Sequence, residues 1–227
     1  HTISGLSIGS ADAPLEDSKV QMYFGLFAEL ENATVKNLGV KDAKLYVTSA
    51  YSIMAGPLAG FTDNSTVEGC WATGTVAVNT NTNTSYATEY NSYAGGLVGY
   101  SQYSNIVNSR TNTTVDAYCK TANAEAGGIA GLTSFGLVAN CAALGDVSGE
   151  TDRTVDDGGV AYLGGIAGCQ ASTIVNCYTA SNATARSWTQ YVGAIGGMAT
   201  AISKTYDSYY SENVKLTIVG STVNPPV

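Results

Sequence analysis

One phrase recurs six times along the chain, a glycine-rich apolar pentad of which Gly95-Gly96-Leu97-Val98-Gly99 is the clearest copy. The others occupy 24–28, 56–60, 127–131, 164–168 and 193–197, so that successive copies lie 29 to 39 residues apart. Spacing of this size marks repeat architectures, in which one unit cannot bury its own apolar face and must stack on the next. A second phrase comes eight or nine residues after each of the first five pentads: Val35-Lys36-Asn37-Leu38, Val67-Glu68-Gly69-Cys70, Ile106-Val107-Asn108-Ser109, Val138-Ala139-Asn140-Cys141 and Ile174-Val175-Asn176-Cys177. Tyr206-Asp207-Ser208 is a degraded sixth copy. A third segment alternates, as in Gly74-Thr75-Val76-Ala77-Val78 and Gly145-Asp146-Val147-Ser148, and length variation is confined to the residues after it, 79–91 and 150–159.

Three short strands per unit, stacked unit on unit, predict an all-β fold: a parallel β-helix, or solenoid, of about six coils. It should be right-handed, the hand that parallel crossovers adopt. Composition agrees. Charged residues are only 12% of the chain while Gly numbers 26, a balance that favours turns and pleated surfaces over helices. Residues 1–220 read as one domain and 221–227 as the start of a linker. The opening His1-Thr2-Ile3-Ser4-Gly5-Leu6 is already strand-like, as if the chain were cut from something longer.

Stacking turns equivalent positions into columns. The central pentad residues Leu26, Leu58, Leu97, Ile129, Ile166 and Ile195 form an aliphatic ladder suited to the interior. The residues after the Asn-like position, Leu38, Cys70, Ser109, Cys141, Cys177 and Ser208, are small or apolar. Five cysteines cannot all pair within one chain, and those in this column are read as buried free thiols, although Cys141 and Cys177 on successive coils could approach. Six residues before each pentad's end lie Met22, Met54, Tyr93, Glu125, Tyr162 and Tyr191. Facing outward, Tyr162 and Tyr191 would make an aromatic platform with Tyr93 nearby; facing inward, the column would be core packing. The sequence pattern leaves both open.

At the pentads and the Asn phrases the chain closely resembles the GLUG-motif repeats of bacterial surface and adhesin-like proteins. The likeness is best over 95–109 and extends across about 23–210. The opening, with Tyr23 to Leu26 and Val35 to Leu38, also resembles the first coil of pectate-lyase-like β-helices. The resemblance implies surface display, and such repeats also occur beside the catalytic parts of IgA-specific metallopeptidases.

Several classes of chemistry are disfavoured. A net charge of -8 with only 10 Lys and Arg argues against nucleic acid, and no apolar run is long enough to imply membrane insertion. The one histidine is His1, so histidine acid–base chemistry has no candidate, and neither a C-x-x-C nor an H-E-x-x-H motif suggests zinc. The dense acidic stretch is Asp146, Glu150, Asp152, Asp156 and Asp157. Asp156 and Asp157, beside Gly158 and Arg153, could ligate Ca²⁺, with a solvated loop as the plainer reading. The sequons at Asn32, Asn64 and Asn112 read as turn chemistry.

The expectation is therefore a noncatalytic extracellular or cell-surface module for adhesion, ligand binding or spacing, needing no cofactor. Its partners would be a host or environmental glycan or protein surface and adjacent domains of the same polypeptide. The alternatives are a carbohydrate-active β-helix enzyme using the acids of 146–157, and an accessory segment of a secreted surface peptidase.

Overall fold

The structure, a computed structural model, describes residues 1–17, 21–81, 90–152 and 159–219. Among them there is no helix, hence none long and apolar enough to cross a membrane, and every strand pairing is parallel. The strands form three sheets. Sheet 1 has six strands: Gln21–Phe24, Ser52–Ala55, Ser92–Gly95, Ala124–Gly127, Val160–Gly164 and Thr189–Gly193. Sheet 2 comes next in each repeat, beginning with Phe27–Glu31, Ala59–Asp63, Val98–Gln102, Ala130–Ala139, Ala167–Val175 and Gly196–Ala199. Sheet 3 receives the long strands Gly39–Ser49, Trp71–Thr80 and Arg110–Cys119, continued by Val147–Thr151 and Ala183–Arg186. These long strands differ from the short ones expected, and they carry Asn79, Thr80, Glu150 and Thr151 into the sheet rather than into the variable segments.

The pentad is a corner, not a strand. Ser92–Gly95 ends sheet 1, Gly96 and Leu97 bend, and Val98 opens sheet 2. Its glycines are there because the backbones touch: a Cβ on Gly99 would lie 2.4 Å from the Ala55 nitrogen, and one on Gly131 2.7 Å from that of Ala94. Backbone hydrogen bonds connect the central residues level by level. Leu58 N–H donates to Leu97 O, Leu97 to Ile129, Ile129 to Ile166 and Ile166 to Ile195, at 2.8–3.0 Å. Leu58, Leu97, Ile129 and Ile166 are fully buried, while Leu26 and Ile195 at the ends are partly buried against the same core. The first corner is one residue shorter than the second, with Gly25 and Leu26 where the second has Gly56, Pro57 and Leu58. Leu26 N–H therefore donates to Pro57 O.

The second phrase is a left-handed corner. Asn37, Gly69, Asn108, Asn140, Asn176 and Asp207 all have φ between 44° and 62°, the region that Gly, Asn and Asp enter at least cost. The asparagines also form a ladder: Asn140 Nδ2 donates to Asn108 Oδ1 at 3.0 Å, and Asn176 Nδ2 to Asn140 Oδ1 at 2.8 Å. Asn32 and Asn64, two of the sequon asparagines, occupy an earlier left-handed corner and are bonded likewise at 2.6 Å. Beyond the corner, sheet 3 turns Leu45, Val76, Val115, Val147 and Ala183 inward in one register column, all 0–1% exposed. One core thus runs through the stack.

All five cysteines are free and buried. Cys70, Cys141 and Cys177 donate Sγ–H to backbone carbonyls, Cys141 to Ala139 O at 3.3 Å and Cys177 to Val175 O at 3.4 Å.

Candidate functional site

The elbow between sheets 1 and 2 gathers the residues that sequence reasoning singled out. Register places Tyr23, Met54, Tyr93, Glu125, Tyr162 and Tyr191 side by side in sheet 1. Met22, assigned to this column from the spacing, instead pairs with Ile53 and is buried in the core; the short first corner shifts the register by one residue. Facing the column across the elbow are Phe61, Tyr100, Leu132 and Cys169 of sheet 2. Tyr23 stacks on Phe61 at 5.3 Å between ring centroids and Tyr93 on Tyr100 at 5.6 Å.

The tyrosines do not share one environment. Tyr93 is closed in by Tyr100 and accepts a hydrogen bond from Asn91 Nδ2 at 2.8 Å, and burial holds its hydroxyl well above the usual tyrosine range. Tyr162 and Tyr191 stack with centroids 5.4 Å apart and planes 13° apart, and Tyr191 is 39% exposed. The outer end of the column is thus an open aromatic pair; the inner end is packed.

Glu125 sits between them. It pairs with Tyr93 on one side and Tyr162 on the other, is 5% exposed, and its Oε2 has no hydrogen-bond partner among the described residues. Burial pushes its carboxyl up to about 8, because an ionised oxygen there is stripped of water. Burial first, and then the Glu125 charge, raises the Tyr162 hydroxyl and pushes the Cys169 thiol up to about 12. The site can hold a neutral acid near pH 7, ready to donate a proton or hydrogen bond inside an aromatic seam.

Among the described residues, the acids of the 146–157 stretch do not converge as one cluster. Asp146 accepts from Asn182 N and Nδ2 at 3.2 and 3.0 Å, bracing a corner. Glu150 lies on the outer face of sheet 3, where Arg186 Nη1 approaches its Oε2 at 3.8 Å. Asp156 and Asp157, the proposed calcium ligands, lie outside the described residues. Among the described residues no three His, Cys, Asp or Glu side chains gather as a metal site would require.

Glu150 and Arg186 line a trough that sequence reasoning missed, together with Asn79, Asp116 and Tyr118. Asp116 accepts from Ser148 Oγ at 2.6 Å. The signal was available in the alternation of the third segment, whose outward residues become neighbours only once the register of five strands is known.

Comparison with known proteins adds one point. No protein-family model matches the chain, and no curated protein matches it. Among solved structures it is similar to a putative immunoglobulin A1 protease from Bacteroides ovatus, with a TM-score of 0.68 and 24% identity over 100% of this chain. The chain spans 62% of the length of that protein. The likeness is one of fold.

Proposed function

We propose that residues 1–220 form a single right-handed parallel β-helix of six GLUG-like coils, a noncatalytic module of a larger secreted or cell-surface protein. The module holds neighbouring domains apart and binds a glycan or protein surface. The observation that carries the binding part is the Tyr162–Tyr191 pair, stacked at 5.4 Å on the outside of sheet 1 with Tyr191 open to solvent. An aromatic face beside a hydroxyl, held rigidly by strands, suits recognition at little entropic cost. No cofactor is required in this reading; Ca²⁺ at Asp156 and Asp157 would be an accessory, and nucleic acid and membrane insertion play no part.

The fold likeness favours one setting for the module, an accessory segment of a surface peptidase. The carbohydrate-active alternative draws less support. Asp116 and Glu150 already engage Ser148 and Arg186, an arrangement better suited to holding hydroxyls than to moving protons.

The test is binding of the purified chain to arrays of glycans and of host surface proteins, with Tyr162→Ala and Tyr191→Ala beside the parent. The reading expects a ligand whose affinity falls about tenfold in either variant. Undiminished binding in both would remove the tyrosine pair from the account, and turnover of a polysaccharide by the chain would remove the noncatalytic reading.

A further inference from the structure

The outer face of sheet 3 carries a second surface, independent of the elbow tyrosines. Two hollows of about 560 and 170 Å³ lie along it and share Asn79, Asp116 and Tyr118, so they form one continuous trough. Register shows its construction. One column runs Tyr46, Ala77, Asp116, Ser148, Thr184, and the next runs Thr48, Asn79, Tyr118, Glu150, Arg186. Five levels at the strand spacing span about 19 Å parallel to the stacking direction.

We propose that this trough binds a neutral, linear oligosaccharide lying along the stack. Its shape suits a chain ligand, since the trough is long, open and built from one residue pair per level. Its chemistry suits sugar hydroxyls, each of which both donates and accepts. Asp116 and Glu150 offer acceptors, Arg186 offers donors, and Ser148 and Thr184 offer both. Asn79, which lines both hollows, adds an amide to this set. Tyr46 near one end and Tyr118 at the middle supply rings for the apolar faces of the sugars.

Charge and geometry reject other chain ligands. Asp116 and Glu150 against Arg186 leave the trough with one net negative charge, which repels uronate-rich glycans and nucleic acids. A peptide that binds by strand addition needs an open edge, whereas the trough lies on the face of a sheet already paired at every one of its five levels.

The probe is an array of neutral linear gluco-, manno- and xylo-oligosaccharides, from dimers upward, then titration calorimetry on those retained. Affinity should rise with oligomer length until the trough is filled and should change little with added salt. Tyr118→Ala should weaken binding about tenfold, and Ala77→Arg, which blocks the floor, should abolish it. Both positions face outward, so an unchanged thermal midpoint establishes that the variants fold. Tyr162→Ala and Tyr191→Ala should leave this binding intact, which separates it from the elbow surface. The proposal is overturned if no neutral oligosaccharide binds, if Tyr118→Ala and Ala77→Arg bind as the parent does, or if only acidic oligomers are retained.

Discussion

Asn140 Nδ2 donates to Asn108 Oδ1 at 3.0 Å while both residues hold left-handed backbones, at φ 54° and 52°. The same side chain therefore relieves the backbone and binds one repeat to the next. Asn140 also accepts from Asn176, so replacing it breaks two inter-repeat bonds. Asn140→Ala is expected to cost about 2–3 kcal/mol in urea unfolding, from the left-handed penalty and the lost bonds. Asn140→Gly keeps the backbone free and should cost less than the alanine change.

Leu97 tests the interior ladder. It is fully buried between Leu58 and Ile129, in a stack that can close little of a cavity because its backbone is bonded on both sides. Leu97→Ala should lower the unfolding free energy by about 2–5 kcal/mol, and Leu26→Ala, at the partly buried end, by clearly less. Chemical denaturation of the two variants together checks the ordering.

Glu125 makes stability depend on pH. Its carboxyl titrates near 4.5 in an exposed setting and at about 8 when folded, so the folded chain holds the proton more tightly. The proton-linked stability is fully present below about pH 4.5, declines as pH rises, and is lost once pH passes about 8. Glu125→Gln, which carries no charge, should stabilise the protein at pH 8 by on the order of a few kcal/mol and change little at pH 5. Unfolding midpoints measured across this range should slope downward for the parent and flatten in the variant. The groups facing Glu125, namely Tyr93, Tyr100, Tyr162, Cys119 and Cys169, are all pushed upward and stay protonated throughout.

The thiols should be silent in the native state. Cys119 is pushed up to about 11 and Cys169 to about 12 by burial, and Cys70 and Cys141 are raised as well; Cys177, which its hydrogen bond with Cys141 lowers, is only 1% exposed, so burial alone shields it. A thiol reagent at pH 8 is expected to label none of the five cysteines rapidly in the folded chain and all five in denaturant. Fast labelling of Cys141 or Cys177 before unfolding would contradict their placement.

Much of this was legible in the sequence because repetition turns local chemistry into columns. The constant spacing of the Asn-like position was legible, and the structure supplies its physical cause, a left-handed corner that Asn, Gly and Asp adopt at least cost. The pentad marked a repeat but concealed a corner, since Gly-Gly-Leu reads equally well as a strand and as a close approach of two backbones. Whether the tyrosine column faced in or out was not legible, because the elbow packs Tyr93 while leaving Tyr191 open. The trough was invisible for another reason. Asp116 and Glu150 lie 34 residues apart, and only inter-strand register makes them neighbours.

Distances between spin labels at equivalent outward positions test the stacking most directly. Tyr46, Ala77, Asp116, Ser148, Thr184 and Thr217 occupy one register column of sheet 3. Labels at 46 and 184 should lie about 19 Å apart and those at 46 and 217 about 24 Å, growing by about 4.8 Å per repeat. Separations that do not grow evenly with repeat number, or that place 217 nearer to 46 than 184 is, would contradict the account.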